Sequence, residues 1–192
     1  ATWKKIANSK EKRQKFYKEH NDISLLVSKN VPNFTNRSRA YLEIQNGCDH
    51  SCTFCIIPKG RGKSRSTPPH QILEKVKSFI DLGFKEIVLT GVDITAWGKE
   101  IGERKNLGEL VELILLENPT LSRLRLSSLD ISEIDEKLIR LFKKEHRLMP
   151  HLHLSLQSGN NMILKRMKRR HSREATVELC KKLKEARPEL TF

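Results

Sequence analysis

The chain has 192 residues, with 37 Lys and Arg against 23 Asp and Glu and a formal net charge of +14. That length suits one domain with a sizeable core, and the charge points to a polyanionic partner or to a generally lysine-rich background. No run of about 18 apolar residues exists, so nothing is expected to span a membrane. Clustered cysteines without a signal peptide argue for a reducing, cytoplasmic setting rather than a disulfide scaffold.

Residues 1–22 are charged throughout, and Trp3, Ile6, Phe16 and Tyr17 give only a ragged helical stripe. Residues 23–40 run through Pro32, Asn33 and Asn36 without periodicity and read as a linker. Residues 1–37 are therefore assigned as a basic connector from a missing upstream domain. Residues 38–192 form the core, which is expected to be incomplete at its C-terminal end because Leu190-Thr191-Phe192 reads like a strand just starting.

Tyr41 to Asn46 is the first predicted strand. Thr67-Pro68-Pro69 then gives an N-cap with proline at the first helical position, and Ile72, Leu73, Val76, Phe79 and Ile80 follow at helical spacing up to Gly83. Lys85 to Gly91 is the second strand, with a continuous apolar run expected of a buried parallel strand. Leu107, Leu110, Val111, Ile114 and Leu115 mark the next helix. Leu121 to Ser127 is the third strand, and Ile134, Leu138, Ile139 and Phe142 make a helix capped by Ser132. His151 to Gln157 is the fourth strand, followed by helical segments near 160–169 and 172–187.

Strand and helix thus alternate four times with no hairpin signal, which implies right-handed crossovers and a parallel sheet or barrel. Polar residues share one face of each strand: Glu43 and Gln45, Arg125 and Ser127, then His153, Ser155 and Gln157. If the aliphatic faces pack under helices, these residues line a polar lumen, unlike the filled interior of a closed eight-stranded barrel. An open sheet with one wet face is the alternative. Sites in such folds lie at the carboxyl ends of strands, where Gly47 to Cys55, Thr90 to Asp93, Ser127 to Asp130 and Gln157 to Gly159 would meet.

At that rim Cys48, Cys52 and Cys55 are spaced C-x3-C-x2-C. Soft thiolates in a tight loop select zinc, copper(I) or an iron–sulfur cluster. Structural zinc takes four ligands, and His50 could supply the fourth only from a strained position between two of the cysteines. A [4Fe-4S] cluster held by three cysteines keeps one iron open for a small molecule. Cys180, at an apolar helical position, is assigned to core packing, as are Met162 and Met167.

The C-x3-C-x2-C spacing with Phe54 beside Cys55 resembles the radical S-adenosylmethionine (SAM) signature. The longer string GCDHSCTFCIIPKGRGKSRS is similar to the methylthiotransferase branch of that family, and HLHLSLQSGNNMILKRMKRRHS at 151–172 resembles the branch's second block. The resemblance implies an α/β fold, a partial (β/α)6 radical SAM barrel truncated after about four β/α units. It implies that Cys48, Cys52 and Cys55 hold a [4Fe-4S] cluster to which SAM binds, yielding a 5′-deoxyadenosyl radical. Gly91, Ser128, Gln157 and Arg170 are the SAM-contact candidates, with Asp93 and Asp130 as further polar contacts. A tight turn would also want Gly91, and Ser128 could instead cap a helix.

The implied function is methylthiolation of threonylcarbamoyladenosine beside the anticodon of tRNA, with isopentenyladenosine tRNA or a ribosomal protein aspartate as alternative substrates. An electron donor such as flavodoxin or ferredoxin, a second [4Fe-4S] cluster in the upstream domain and a downstream RNA-binding domain belong to the same expectation. Sulfur insertion is not expected of this piece alone. Lys59, Arg61, Lys63 and Arg65, with Lys165, Arg166, Lys168, Arg169 and Arg170, would engage RNA phosphates. A non-catalytic metal-bound RNA module and a simple electron carrier are the competing classes.

Overall fold

The computed structural model describes residues 38–101 and 105–192, so the basic connector assigned to 1–37 lies outside the described residues. In chain order the elements are β1 (Arg39–Asn46), α1 (Ile57–Arg61), β2 (Arg65–Ser66), α2 (Pro69–Asp81), β3 (Glu86–Gly91), α3 (Leu107–Glu117), β4 (Arg123–Leu126), β5 (Ser128–Leu129), α4 (Glu136–Lys144), β6 (His153–Leu154), α5 (Asn161–Arg166) and α6 (Arg173–Ala186). Short 3-10 turns occupy Ile94–Ala96 and Ile131–Glu133. The main sheet has the order β2-β1-β3-β4, and β5 and β6 form a separate two-stranded sheet. All pairings are parallel except β2 on β1, and the four-stranded sheet curls into a partial barrel.

The strand alternation explains how the sheet is held. Ala40, Leu42 and Ile44 of β1, Ile87 and Leu89 of β3, and Leu124 and Leu126 of β4 are buried on one face. Over them lie Ile72 and Val76 of α2, Leu110, Val111 and Ile114 of α3, and Leu138 and Phe142 of α4. Burying each such side chain is worth about 1.5–3 kcal/mol, so this layer supplies most of the driving force. The opposite face carries Arg39, Tyr41, Glu43 and Gln45 of β1 beside Glu86, Val88 and Thr90 of β3, as the polar-lumen reading requires.

Helix boundaries follow capping chemistry, with two corrections. Thr67 is not the cap of α2; its N–H donates to Ile44 O (2.8 Å), which extends the β2 edge, and the helix begins one residue later behind Pro68. Ser132 does not cap α4: Asp135 does, accepting from Leu138 N at 2.9 Å, while Ser132 is held by Asp130. At the far end of α2, Gly83 adopts φ +89, and the bonds from Gly83 N to Ile80 O and from Phe84 N to Phe79 O close a Schellman motif.

The strand predicted over His151 to Gln157 is reduced to the pair His153–Leu154, with a further parallel bridge between His151 and Thr191. Leu152 is buried but Leu156 is exposed, because the chain leaves the sheet and Gln157 turns with φ +67. Met162 is also exposed rather than part of the core.

Candidate metal centre

Gly47 opens the cysteine loop with φ +76, a conformation that suits glycine, and a Cβ there would lie 1.9 Å from Lys63 O. The close approach lets Cys48 N donate to Gly62 O at 3.1 Å, so the loop is pinned shut at its base. β2 reinforces that closure by pairing Ser66 and Arg65 with Gln45 and Asn46. Gln45 is buried in the stem and donates to Gly47 O (2.8 Å) and Ser64 Oγ (2.9 Å). Its amide oxygen accepts from Asp93 N (2.7 Å), which ties the cysteine loop to the end of β3. Farther out, Thr53 reaches the segment after α5, bonding Met167 O through its N–H (3.3 Å) and Arg166 O through its hydroxyl (3.2 Å).

The three cysteines are free thiols, each partly buried. Burial pushes the Cys48 thiol up to about 11, helped by Coulombic repulsion from Asp93, Cys52 and Cys55, against a lowering hydrogen bond from His50 N. Cys48 therefore lies close enough to the other two cysteines to feel their charge. A cationic metal centre would invert that repulsion and hold them as thiolates, so the donor set fits a cluster of thiolate-ligated iron.

Around this loop stands a charged network that the sequence reading found only in part. His50 Nε2 lies 2.8 Å from Asp93 and 2.9 Å from Arg170 Nη2. Thr95 donates to Asp93 (2.7 Å) and accepts from Asp130 N (3.2 Å), linking the ends of β3 and β5. Arg169 pairs with Asp130 at 2.8 Å and donates to Cys52 Sγ at 3.4 Å. Arg170 pairs with Glu133 at 2.6 Å, and Lys99 joins the same carboxylate. Burial raises the carboxyls of Asp93 and Asp130, but hydrogen bonds from His50 and Thr95 to the first and from Ser132 to the second, with nearby positive charge, leave both below the ordinary range.

Cys48, His50 and Asp93 bring their donor atoms within 4.8 Å of one another, the nearest approach among the described residues to a single-ion site. A divalent ion there would face the Arg170 guanidinium already against His50, which disfavours it.

The remaining predicted residues are placed as follows. Gly91 pairs with Gln45 beside a bulge, and a Cβ on it would meet Gln45 O at 2.5 Å, so its smallness serves the β1 to β3 contact. Ser128 caps no helix; its hydroxyl lies 2.7 Å from His153 Nδ1 across the β5 to β6 pair. Gln157 is exposed at the turn that ends β6, apart from the cysteine network. Arg170 belongs to the network, as do Asp93 and Asp130. His50, Thr95, Glu133 and Arg169 join them; of these the sequence reading had His50 only as a zinc ligand and Arg169 only as one of a basic run. The nearest signal for Arg169 was its place in the second block. Arg65 is no free phosphate ligand, since it bonds Lys63 O and Arg61 O, both at 3.0 Å.

Comparison with known proteins agrees with this architecture. The chain is 51% identical over 162 residues to the threonylcarbamoyladenosine tRNA methylthiotransferase MtaB of Rickettsia prowazekii, covering 84% of this chain and 38% of that protein. It is 39% identical over 160 residues to the MtaB of Bacillus subtilis (83% and 35%) and 42% identical over 163 residues to the tRNA-2-methylthio-N(6)-dimethylallyladenosine synthase of Agrobacterium fabrum (82% and 36%). The chain thus spans little more than a third of the length of these relatives. Among solved structures, the radical SAM methyltransferase TsrM from Kitasatospora setae superposes with a TM-score of 0.63 at 17% identity, over 79% of this chain and 29% of that one, a likeness of fold. The sequence model of the Radical SAM superfamily matches residues 42–192, from the first strand through the cysteine loop to the last helix. With a partial parallel barrel carrying the C-x3-C-x2-C loop at its carboxyl rim, the chain belongs to the radical SAM superfamily.

Proposed function

We propose that this chain is the radical core of a tRNA methylthiotransferase acting on threonylcarbamoyladenosine. The observation that carries the reading is the 51% identity, across most of the chain, to a relative of that name. In this reading Cys48, Cys52 and Cys55 hold a [4Fe-4S] cluster and SAM binds beside it. When bound, the two supply one-electron chemistry, which ordinary side chains lack.

The residues' own work is positioning. Gly47 and Gln45 fix the loop so that three thiols share one centre. Gly91 presents bare backbone at the end of β3, Arg170 a guanidinium and Ser128 a hydroxyl from β5, while Gln157 would have to reach SAM from the turn after β6. Ser127 Oγ is buried without a hydrogen-bond partner at the carboxyl end of β4, an open polar valence that a ligand hydroxyl or carboxylate can fill. Lys59, Arg61 and Lys63, with Lys165, Arg166 and Lys168, are exposed and supply positive charge to meet tRNA phosphates.

The reading extends to a flavodoxin or ferredoxin as electron donor, a second [4Fe-4S] cluster on a segment preceding the core, and work in the cytoplasm. No helix among the described residues is long and apolar enough to cross a membrane. A second substrate, dimethylallyladenosine tRNA, is favoured by one observation: the 42% identity to the Agrobacterium fabrum enzyme, above that to the Bacillus subtilis MtaB.

Two measurements test the proposal. Anaerobic reconstitution should give iron and sulfide in cluster stoichiometry; stoichiometric zinc with no iron would favour a non-catalytic RNA module. Mass spectrometry of tRNA nucleosides from cells lacking the gene should show loss of the methylthio form of threonylcarbamoyladenosine, whereas loss of the dimethylallyl counterpart alone would select the second substrate.

A further inference from the structure

We propose that Arg169 is a positioning residue for the metal centre: its buried guanidinium donates a hydrogen bond to the Cys52 sulfur and so raises the reduction potential of the cluster. The inference rests on the reading that the three cysteines hold that cluster.

The guanidinium cannot wander. Its side chain is 7% exposed, and Nη2 is held by Asp130 Oδ2 at 2.8 Å and by Ser155 O at 2.9 Å. Asp130 is itself fixed, accepting from Ser132 N at 2.9 Å and donating its own N–H to Thr95. The Arg169 backbone N–H donates to Leu164 O at 2.9 Å, after Lys168 turns the chain with φ +55. Thr53, next to Cys52, is meanwhile bonded to the carbonyls of Arg166 and Met167. The backbone beside Cys52 is thus tied to the segment that carries Arg169, while the guanidinium is held by Asp130 and Ser155, so the 3.4 Å contact between Arg169 Nη1 and Cys52 Sγ is a consequence of the fold rather than of a loose side chain.

Its effect has a definite sign. One-electron reduction adds negative charge to the cluster and its thiolate sulfurs, and an N–H donor carrying positive charge stabilises that form. The other end of the loop works the opposite way, because Asp93 Oδ2 lies 4.0 Å from Cys48 Sγ. Arg169 therefore offsets a carboxylate that would otherwise make the centre hard to reduce. Arg169 Nε is buried without a partner, so the guanidinium retains donor capacity.

The test is a potentiometric titration of the anaerobically reconstituted chain, followed by the paramagnetic resonance signal of the reduced cluster, with iron content measured on the same samples. In Arg169→Gln the ratio of reduced to oxidised cluster at the wild-type midpoint should fall about tenfold, equivalent to about 59 mV for a one-electron couple. Arg169→Lys keeps charge but loses the fork, and should fall by less. Asp130→Asn removes the anion and leaves the sulfur contact, so its potential should hold or rise. An unchanged potential in Arg169→Gln, an equal fall in Asp130→Asn, or loss of iron from both Arg169 variants would make Arg169 a scaffold for the loop and overturn the proposal. Wild-type protein that takes up no iron would instead defeat the cofactor reading on which it rests.

Discussion

The two ends of the sheet each gather opposite charges, and they do so in different ways. At the amino end, one buried carboxylate, Glu86, is shared by Arg39 (2.8 Å) and Arg123 (3.1 Å), which pair with it on the two neighbouring strands, and by Arg125 (2.7 Å), two residues further along β4. Both carboxylate oxygens are used. At the carboxyl end, Asp93, Asp130 and Glu133 face His50, Lys99, Arg169 and Arg170, yet Glu133 Oε2, Arg169 Nε and Ser127 Oγ are buried with no partner. Buried polar groups are ordinarily satisfied, so an end that closes its hydrogen bonds is scaffold, and an end that leaves several open awaits something else.

The largest expected effect separates the two ends outright. Cys52→Ser should abolish cluster binding, read as loss of iron and of visible absorbance after reconstitution, while the circular dichroism of the apoprotein is unchanged because Cys52 packs into no core. Unfolding of this variant would mean the loop is part of the scaffold.

At the other end the cost should be stability alone. Glu86→Ala strands three arginines; Arg39 and Arg123 are half-exposed and can turn to water, whereas Arg125, at 23% exposed, is more confined. Breaking a buried pair costs about 3–5 kcal/mol, and the exposure of two partners puts this case near the lower limit. Urea unfolding should show that loss with iron uptake unaltered. Glu86 also gives an acid limb of known sign. Burial raises its carboxyl, but the bonds from Arg125 and Arg123 and the charges of Arg125 and Arg39 bring it below its ordinary 4.5. The unfolded chain then binds more protons, so the contribution is complete above about pH 4.5 and is lost as pH falls through the lower folded value. Glu86→Gln should flatten that limb.

Between these extremes stands Gly47→Ala. Its Cβ would collide with the Lys63 carbonyl in a conformation that already disfavours side chains, a cost of about 2 kcal/mol. Because the strain falls at the base of the cysteine loop, iron uptake should drop along with the urea midpoint, which Glu86→Ala should not reproduce.

How much of this was legible follows from what each end is made of. The apolar runs of β1, β3 and β4 and the helical stripes of α2, α3 and α4 were readable because burial imposes a period on sequence. The cysteines were readable because no packing need explains three thiols in eight positions. β2 was not, since Arg65 and Ser66 carry no alternation and pair only because the loop closes on Gly47. The last strand was overread: Leu152, Leu154 and Leu156 alternate in sequence, but the turn at Gln157 removes Leu156 from the sheet. Arg169 and Arg170 are adjacent and identical in type, and only their placement separates the one on Cys52 from the one on Glu133 and His50.

The smallest effect tests the contrast most directly, because it should move the two properties in opposite directions. Ser127 Oγ is buried and unpartnered, so folding already bears the cost of stripping water from it. Ser127→Ala removes that cost and should leave stability unchanged or raise it by up to about 1 kcal/mol. If the open hydroxyl is there for SAM, the same change removes a hydrogen bond from the complex, and affinity measured by calorimetry on the reconstituted chain should weaken about fivefold to tenfold. A loss of stability with unchanged affinity would mean that Ser127 has a partner of its own within the sheet, and the carboxyl end would then be as closed as the amino end.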